Sequence, residues 1–318
     1  MKRLEIAAKT RCAAAAFLAA AASACASPAD DRGAADRAFF PLVAPKQPAK
    51  AELSILPRKN MAFVKAALDG RECTLLFDTG ATHTTFDIGF VKRELPGVKL
   101  GEVMLAGETN VGGVPKIFRA KSLKIGEAEF RGFHAMALDI SQLGPRIGTN
   151  VEGIVGMNII GRVPALVSFG GRKVVFSPGP EDLAWFSGGR GAARIAEDPF
   201  SVALNASYGG RTFPVIVDSA STFTFLGKST GWPSTGEAAG IGAVDVNGGA
   251  SIAAEKGCKG ILQLGEKKSG LGALMLGENV EISPLLVASP MNRIGADTLL
   301  SYDMLVDSAG VVRFRRRR

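Results

Sequence analysis

Two aspartates in this 318-residue chain share a setting that could support catalysis. Asp78 follows the apolar run Leu75-Leu76-Phe77 and precedes Thr79-Gly80-Ala81. Asp218 follows Val215-Ile216-Val217 and precedes Ser219-Ala220-Ser221. Each is a carboxylate at the end of an apolar strand, followed by a small hydroxyl residue and then Gly or Ala. A single Asp-Thr-Gly marks an ordinary turn, because Asp and Gly favour turns. Two of them at equivalent places, 140 residues apart, are candidates for acid–base chemistry by carboxylates.

The segments that must position these aspartates repeat as well. Phe63-Val64-Lys65-Ala66-Ala67-Leu68 leads to the first through Asp69-Gly70, and Ser201-Val202-Ala203-Leu204 leads to the second through Gly209-Gly210. Downstream, Ile154-Val155-Gly156-Met157-Asn158 corresponds to Arg293-Ile294-Gly295-Ala296-Asp297, with the glycines 139 residues apart. Ser168-Phe169-Gly170-Gly171 before Val174-Val175-Phe176 corresponds to Asp307-Ser308-Ala309-Gly310 before Val311-Val312-Arg313-Phe314. Three landmarks in one order at nearly constant offset make the chain a tandem pair of similar units, joined near residues 177–197. Short apolar or alternating runs at 61–68, 73–77, 117–123, 172–176, 201–206 and 213–217 predict strands. Only 88–94 and 157–163 read as short helices, so the fold class is all-β.

Composition narrows the function classes. With 47% hydrophobic and 21% charged residues, the chain is neither disordered nor collagen-like. Trp 2 and Tyr 2 leave no aromatic platform for nucleic acid. The net charge of +8 divides into +3 over residues 1–11 and +5 over the Arg-rich end, leaving the part between neutral. The positive start, the Ala-rich apolar run 12–22 and the small residues Ser23-Ala24-Cys25-Ala26 read as a secretory signal. Ala22-Ser23-Ala24-Cys25 also resembles a bacterial lipobox, which makes Cys25 either a lipid-bearing N-terminus or part of an ordinary cleavage region. The protein is thus expected to be exported, as a periplasmic or membrane-anchored lipoprotein of a bacterium. Cys73 and Cys258 remain in the folded part, as one bridge or as two separate thiols, which excludes a disulfide framework and a Cys-rich zinc site.

Leu75-Leu76-Phe77-Asp78-Thr79-Gly80-Ala81-Thr82-His83 and Gly153-Ile154-Val155-Gly156-Met157-Asn158, with their second-half counterparts, resemble the retropepsin-like aspartyl proteases. The resemblance implies two tandem retropepsin-like β-barrel lobes in a bilobal, pepsin-like arrangement with a cleft between them. It divides the chain into a signal at 1–25, a flexible tether at 26–50, a first lobe at 51–180, a second at 190–314 and a basic tail at 315–318. It also implies an aspartic endopeptidase acting on an extended peptide or protein substrate, as a two-lobed monomer with no cofactor, no metal and no nucleic-acid partner. Asp78 and Asp218 would then form the catalytic pair. Two carboxylates a few ångström apart cannot both ionise, so they share a proton and activate a water between them.

By the same resemblance, Thr79 and Ser219 hydrogen-bond across the interface, while Gly80 and Ala220 bring the backbone close to the carboxylates. Ala220 stands where the family has Gly and fits only if its φ is negative. Ser221 can hydrogen-bond a carboxylate where Ala81 cannot, which predicts an ionised Asp218 and a protonated Asp78. Two Gly-containing hairpins, 105–116 with Gly112 and Gly113 and 244–253 with Gly248 and Gly249, are expected to be flaps over the substrate. Neither contains Tyr208 or Tyr302, so a pepsin-type flap tyrosine is missing. Two other readings stay open: a pseudo-protease that binds peptides in the envelope, disabled by Ala220, and a pair assembled from Asp78 of two chains.

Other motifs fail. Gly227-Lys228-Ser229-Thr230 lacks the first Gly of a phosphate loop, which would fall at Thr222. Gly227-Lys228-Ser229-Thr230-Gly231 lacks the later His of a serine hydrolase, because His83 and His134 both precede it. His83 is expected to pack or hydrogen-bond near the site, and His134 to be a satisfied strand residue.

Overall fold

The computed structural model describes residues 43–57, 59–102, 115–186, 192–193, 202–245, 248–265, 278–288, 292–307 and 311–317. The expected signal with Cys25, most of the expected tether, and Gly112 and Gly113 lie outside the described residues. Within them the protein is mostly β, arranged in three sheets, in line with the all-β expectation.

The first sheet has eight strands, and six of them close into a barrel. Arg71–Phe77 pairs antiparallel with Ala62–Leu68 and parallel with Gly153–Val155. Thr85–Asp87 continues the ring to Ala128–Leu138, which pairs with Lys116–Ile125. Lys116–Ile125 returns to Ala62–Leu68, where Ala66 faces Ile125. Alternate residues of these strands point inward, so Phe118, Phe130, Leu123 and Ile125 are fully buried while their neighbours face solvent. Burying each such side chain stabilises the fold by roughly 1.5–3 kcal/mol.

The second sheet has nine strands and repeats that order. Arg211–Val217 lies between Ala203–Tyr208, antiparallel, and Arg293–Ile294, parallel. Phe225–Gly227 stands between Arg293–Ile294 and Leu285–Val287. Where the first half has one continuous strand, Ala128–Leu138, the second has Glu278–Ile282 and Leu285–Val287. Pro284 stands at the break, where a residue without N–H cannot extend a ladder. Ser234–Asp245 and Gly248–Gly257 form a long antiparallel hairpin.

A six-stranded sheet joins the halves, in the order Ala49–Glu52, Lys173–Phe176, Ala165–Ser168, Tyr302–Val306, Val311–Arg316, Ala192–Ala193. Its middle pair places Ala165 opposite Val306. Phe169 and Phe176 pack from this sheet edge-on against Phe77 and Phe130 of the barrel, at 6.2 and 5.1 Å between ring centroids. Both outer boundaries differ from the expected ones. Ala49 and Lys50 of the expected tether belong to a strand, and Val43 bridges to Arg131. Arg315 and Arg316 of the expected tail belong to Val311–Arg316, where their charges meet Asp303 and Glu281. Cys73 is buried and Cys258 partly exposed, and both are free thiols, so no bridge forms.

Candidate active site

Each aspartate begins the turn after its strand, and each turn is held by the same set of bonds. The Asp78 N–H donates to Val155 O at 3.1 Å, and the Asp218 N–H donates to Ile294 O at 2.9 Å. Oδ1 of Asp78 accepts from the N–H groups of Gly80 and Ala81, at 2.8 and 3.1 Å. Oδ1 of Asp218 accepts from those of Ala220 and Ser221, both at 3.0 Å. Behind the turns, Thr84 and Thr224 play matching parts. The Thr84 hydroxyl accepts from Gly156 N and donates to Asn158 Oδ1, while the Thr224 hydroxyl accepts from Gly295 N and donates to Asp297 Oδ1. Burial pushes the Asp297 carboxyl up, a change its hydrogen bonds to Thr224 and Thr298 oppose.

The turns interlock through two buried hydroxyls. Thr79 Oγ1 donates to Val217 O at 2.7 Å and accepts from Ser219 N at 3.1 Å. Ser219 Oγ donates to Phe77 O at 2.7 Å and accepts from Thr79 N at 3.0 Å. Four bonds in two-fold arrangement thus fix the two aspartate turns against each other. Gly80 is pressed onto the partner carboxyl, since a Cβ there would lie 2.7 Å from Asp218 Cγ. Ala220 takes the matching position with its φ outside the left-handed region, so its backbone accepts a side chain. Its methyl packs against the apolar cluster of Met61, Phe63, Leu76, Leu143 and Ile154.

The two carboxylates have different surroundings. Asp78 keeps some exposure, whereas Asp218 is 3% exposed. Burial and the charge of Asp218 push the Asp78 carboxyl up to about 7, against the pull of the Gly80 and Ala81 N–H groups and of Arg293. Arg293 is the residue that sequence reasoning missed. Its Nη1 forms an ion pair with Oδ2 of Asp218. The expectation for Ser221 is corrected here: its hydroxyl donates to Phe223 O at 2.8 Å, and only its backbone N–H reaches the carboxylate. Arg293, not a serine hydroxyl, supplies the side-chain partner of Asp218. The sequence held one signal of this, a charged residue aligned with the apolar Ile154.

His83 lies beside the first turn, with Nδ1 2.9 Å from Thr82 Oγ1. Of the residues expected in the flaps, Gly248 and Gly249 open the second strand of the long hairpin, facing Asp245 and Val244. The first strand of that hairpin, Ser234–Asp245, comes against the helix Leu143–Ile147 of the other half. The structure therefore brings Asp78, Thr79, Gly80, Ala81, Ser219, Ala220 and Ser221 together with Asp218.

No curated protein matches the chain. Residues 64–159 match the family model described as Aspartyl protease, a segment that carries Asp78-Thr79-Gly80 and Asn158 and ends before the second aspartate. This match supports an aspartyl-protease family for the first half of the molecule.

Proposed function

We propose that the protein is an aspartic endopeptidase, built as two retropepsin-like lobes with an extended peptide or protein bound between them. The observation that carries this reading is the two-fold interlock of Thr79 with Ser219, which sets the Asp78 and Asp218 turns face to face. The roles of the pair follow from their surroundings. Asp78, pushed up to about 7, holds the proton, and Asp218, paired with the Arg293 guanidinium, serves as the base.

The water oxygen bonds to the peptide carbonyl carbon as its proton passes to Asp218 and the Asp78 proton passes to the carbonyl oxygen. A gem-diol results, with no covalent bond to the enzyme. Collapse breaks the C–N bond: the proton on Asp218 goes to the departing nitrogen, and a gem-diol hydroxyl proton returns to Asp78. The hairpin of Ser234–Asp245 and Gly248–Gly257 is the flap on the second side. The positive residues among 1–11 and the Ala-rich run 12–22 support an exported protein, with Cys25 either its lipid anchor or part of a cleavage region.

One observation favours a second reading, a peptide-binding protein with impaired catalysis. It is not Ala220, which the turn accommodates, but Arg293, which occupies the oxygen of Asp218 that a reacting water would use. Incubating the full chain with a peptide library between about pH 4 and about pH 7.5 separates the two. Cleavage that disappears in both Asp78→Asn and Asp218→Asn supports the endopeptidase. No cleavage at any pH leaves the binding reading, and cleavage that survives Asp218→Asn points to a pair made from two chains.

A further inference from the structure

Arg293 has surroundings that its pairing with Asp218 does not exhaust. Its backbone is fixed by pairing on both sides, with Ile216 and with Phe225. Its guanidinium reaches Oδ2 of Asp218, while Oδ1 is already taken by two backbone N–H groups. The matching residue, Ile154, is 7% exposed and sits under the helix Leu143–Ile147. That helix belongs to the segment 139–152, for which the second half has only 288–292 between Leu285–Val287 and Arg293–Ile294. Among the described residues no such helix covers Arg293, and its side chain is 29% exposed beside an Asp218 side chain that is 4% exposed.

A guanidinium carries five N–H donors in a planar fork suited to two carboxylate oxygens. Among the described residues, Asp218 meets this one through Nη1 alone. Among the described residues the other donors of this partly exposed guanidinium meet no side-chain acceptor. Opening the pair without replacing it would strand a buried carboxylate and an unpartnered cation, which is costly. A second carboxylate arriving on the guanidinium makes the exchange neutral in charge. It frees Oδ2 of Asp218 while Ala220 and Ser221 still hold Oδ1.

We infer that Arg293 is a specificity residue that selects peptides carrying a carboxylate beside the scissile bond and releases Asp218 only when that carboxylate takes its place. The inference rests on the endopeptidase reading for its consequence, but the recognition step can be measured without turnover. The carboxylate comes from an acidic side chain or from a free C-terminus.

Three peptides of one sequence distinguish these sources: one with internal Glu and an amidated end, one with Gln and a free C-terminal carboxylate, and one with Gln and an amidated end. Binding is measured by fluorescence anisotropy on the full chain carrying Asp78→Asn, and cleavage on the parent chain. At least one carboxylate peptide is expected to bind about tenfold or more tightly than the neutral one, the scale of one charge-assisted hydrogen bond. In Arg293→Ile, which installs the residue of the other half, the ratio should fall to near one, and Arg293→Lys should keep part of it. Thermal melts of both variants report folding, and the parent comparison stands if Arg293→Ile does not fold. Equal binding of all three peptides overturns the inference, as does a preference that survives Arg293→Ile. Cleavage without preference leaves the endopeptidase and removes the selectivity. Preference in binding without cleavage of any peptide does the reverse.

Discussion

The two halves of the molecule place their aspartates by the same means and then surround them differently. In both, a carboxylate begins a turn after a strand, its N–H is held by the parallel strand alongside, and a threonine behind the turn ties the assembly to a Gly-containing loop. Beyond that frame, the first half covers its site with the helix Leu143–Ile147 and an apolar cluster. The second breaks its long strand at Pro284, shows no such helix among the described residues, and brings Arg293 to the carboxylate. Hydrogen-bond symmetry sets the distance between the turns. The neighbours beyond that frame differ, an apolar cluster on one side and a guanidinium on the other.

The comparison can be broken most sharply at the aspartates themselves. Asp78→Asn and Asp218→Asn should each lower kcat by about 10²–10⁴-fold in a peptide-cleavage assay. Residual activity in one alone would mean that a single half carries the chemistry. Next come the interlocking hydroxyls. Thr79→Val and Ser219→Ala each strand buried backbone groups and should each cost about 3 kcal/mol in urea unfolding. Near-equal losses are the mark of the two-fold arrangement, and a large difference would count against it.

The glycine position sharpens the contrast between the halves. Gly80→Ala puts a methyl onto the Asp218 carboxyl and should destabilise by about 1–3 kcal/mol with loss of activity. A pH effect separates the two carboxylates. The folded-state pKa of Asp78 lies above the ordinary value of 3.8, so its contribution to stability is complete below that value and is lost as pH rises through about 7. Asp78→Asn escapes that loss, and its melting temperature relative to the parent should climb between about pH 4 and about pH 7 and level off above. A flat difference across that range would contradict the perturbed carboxyl. The smallest effect belongs to Ala220→Gly, which should change stability by about 1 kcal/mol or less.

The frame was legible in the sequence because its landmarks sit where backbone pairing leaves little freedom. Leu75 faces Gly153 and Ile216 faces Arg293 in parallel ladders, so strand, turn and partner strand recur at nearly constant offset. The difference between the aspartates was not legible. Aligning Arg293 with Ile154 showed a mismatch but not where the long side chain would point, which is set by its ion pair with Asp218 across the strand end. Nor could the sequence tell that the Ser221 hydroxyl would turn to Phe223 O in its own loop. The outer boundaries were obscured by charge. Arg315 and Arg316 look like a solvated tail until Asp303 and Glu281 are seen opposite them.

The six-stranded sheet has a consequence for how the protein is made. Chains are synthesised from the N-terminus, and domains generally fold as their segments emerge. The ring around Asp78 is complete once Gly153–Val155 is available, but Asp218 must wait for Arg293–Ile294. The sheet that joins the halves waits longer still, for Tyr302–Val306 to reach Ala165–Ser168. Until Arg293–Ile294 has been synthesised, the strand leading to Asp218 lacks the parallel partner that the strand leading to Asp78 already has. Assembly of the two turns is thereby timed to follow translation of nearly the whole described fold.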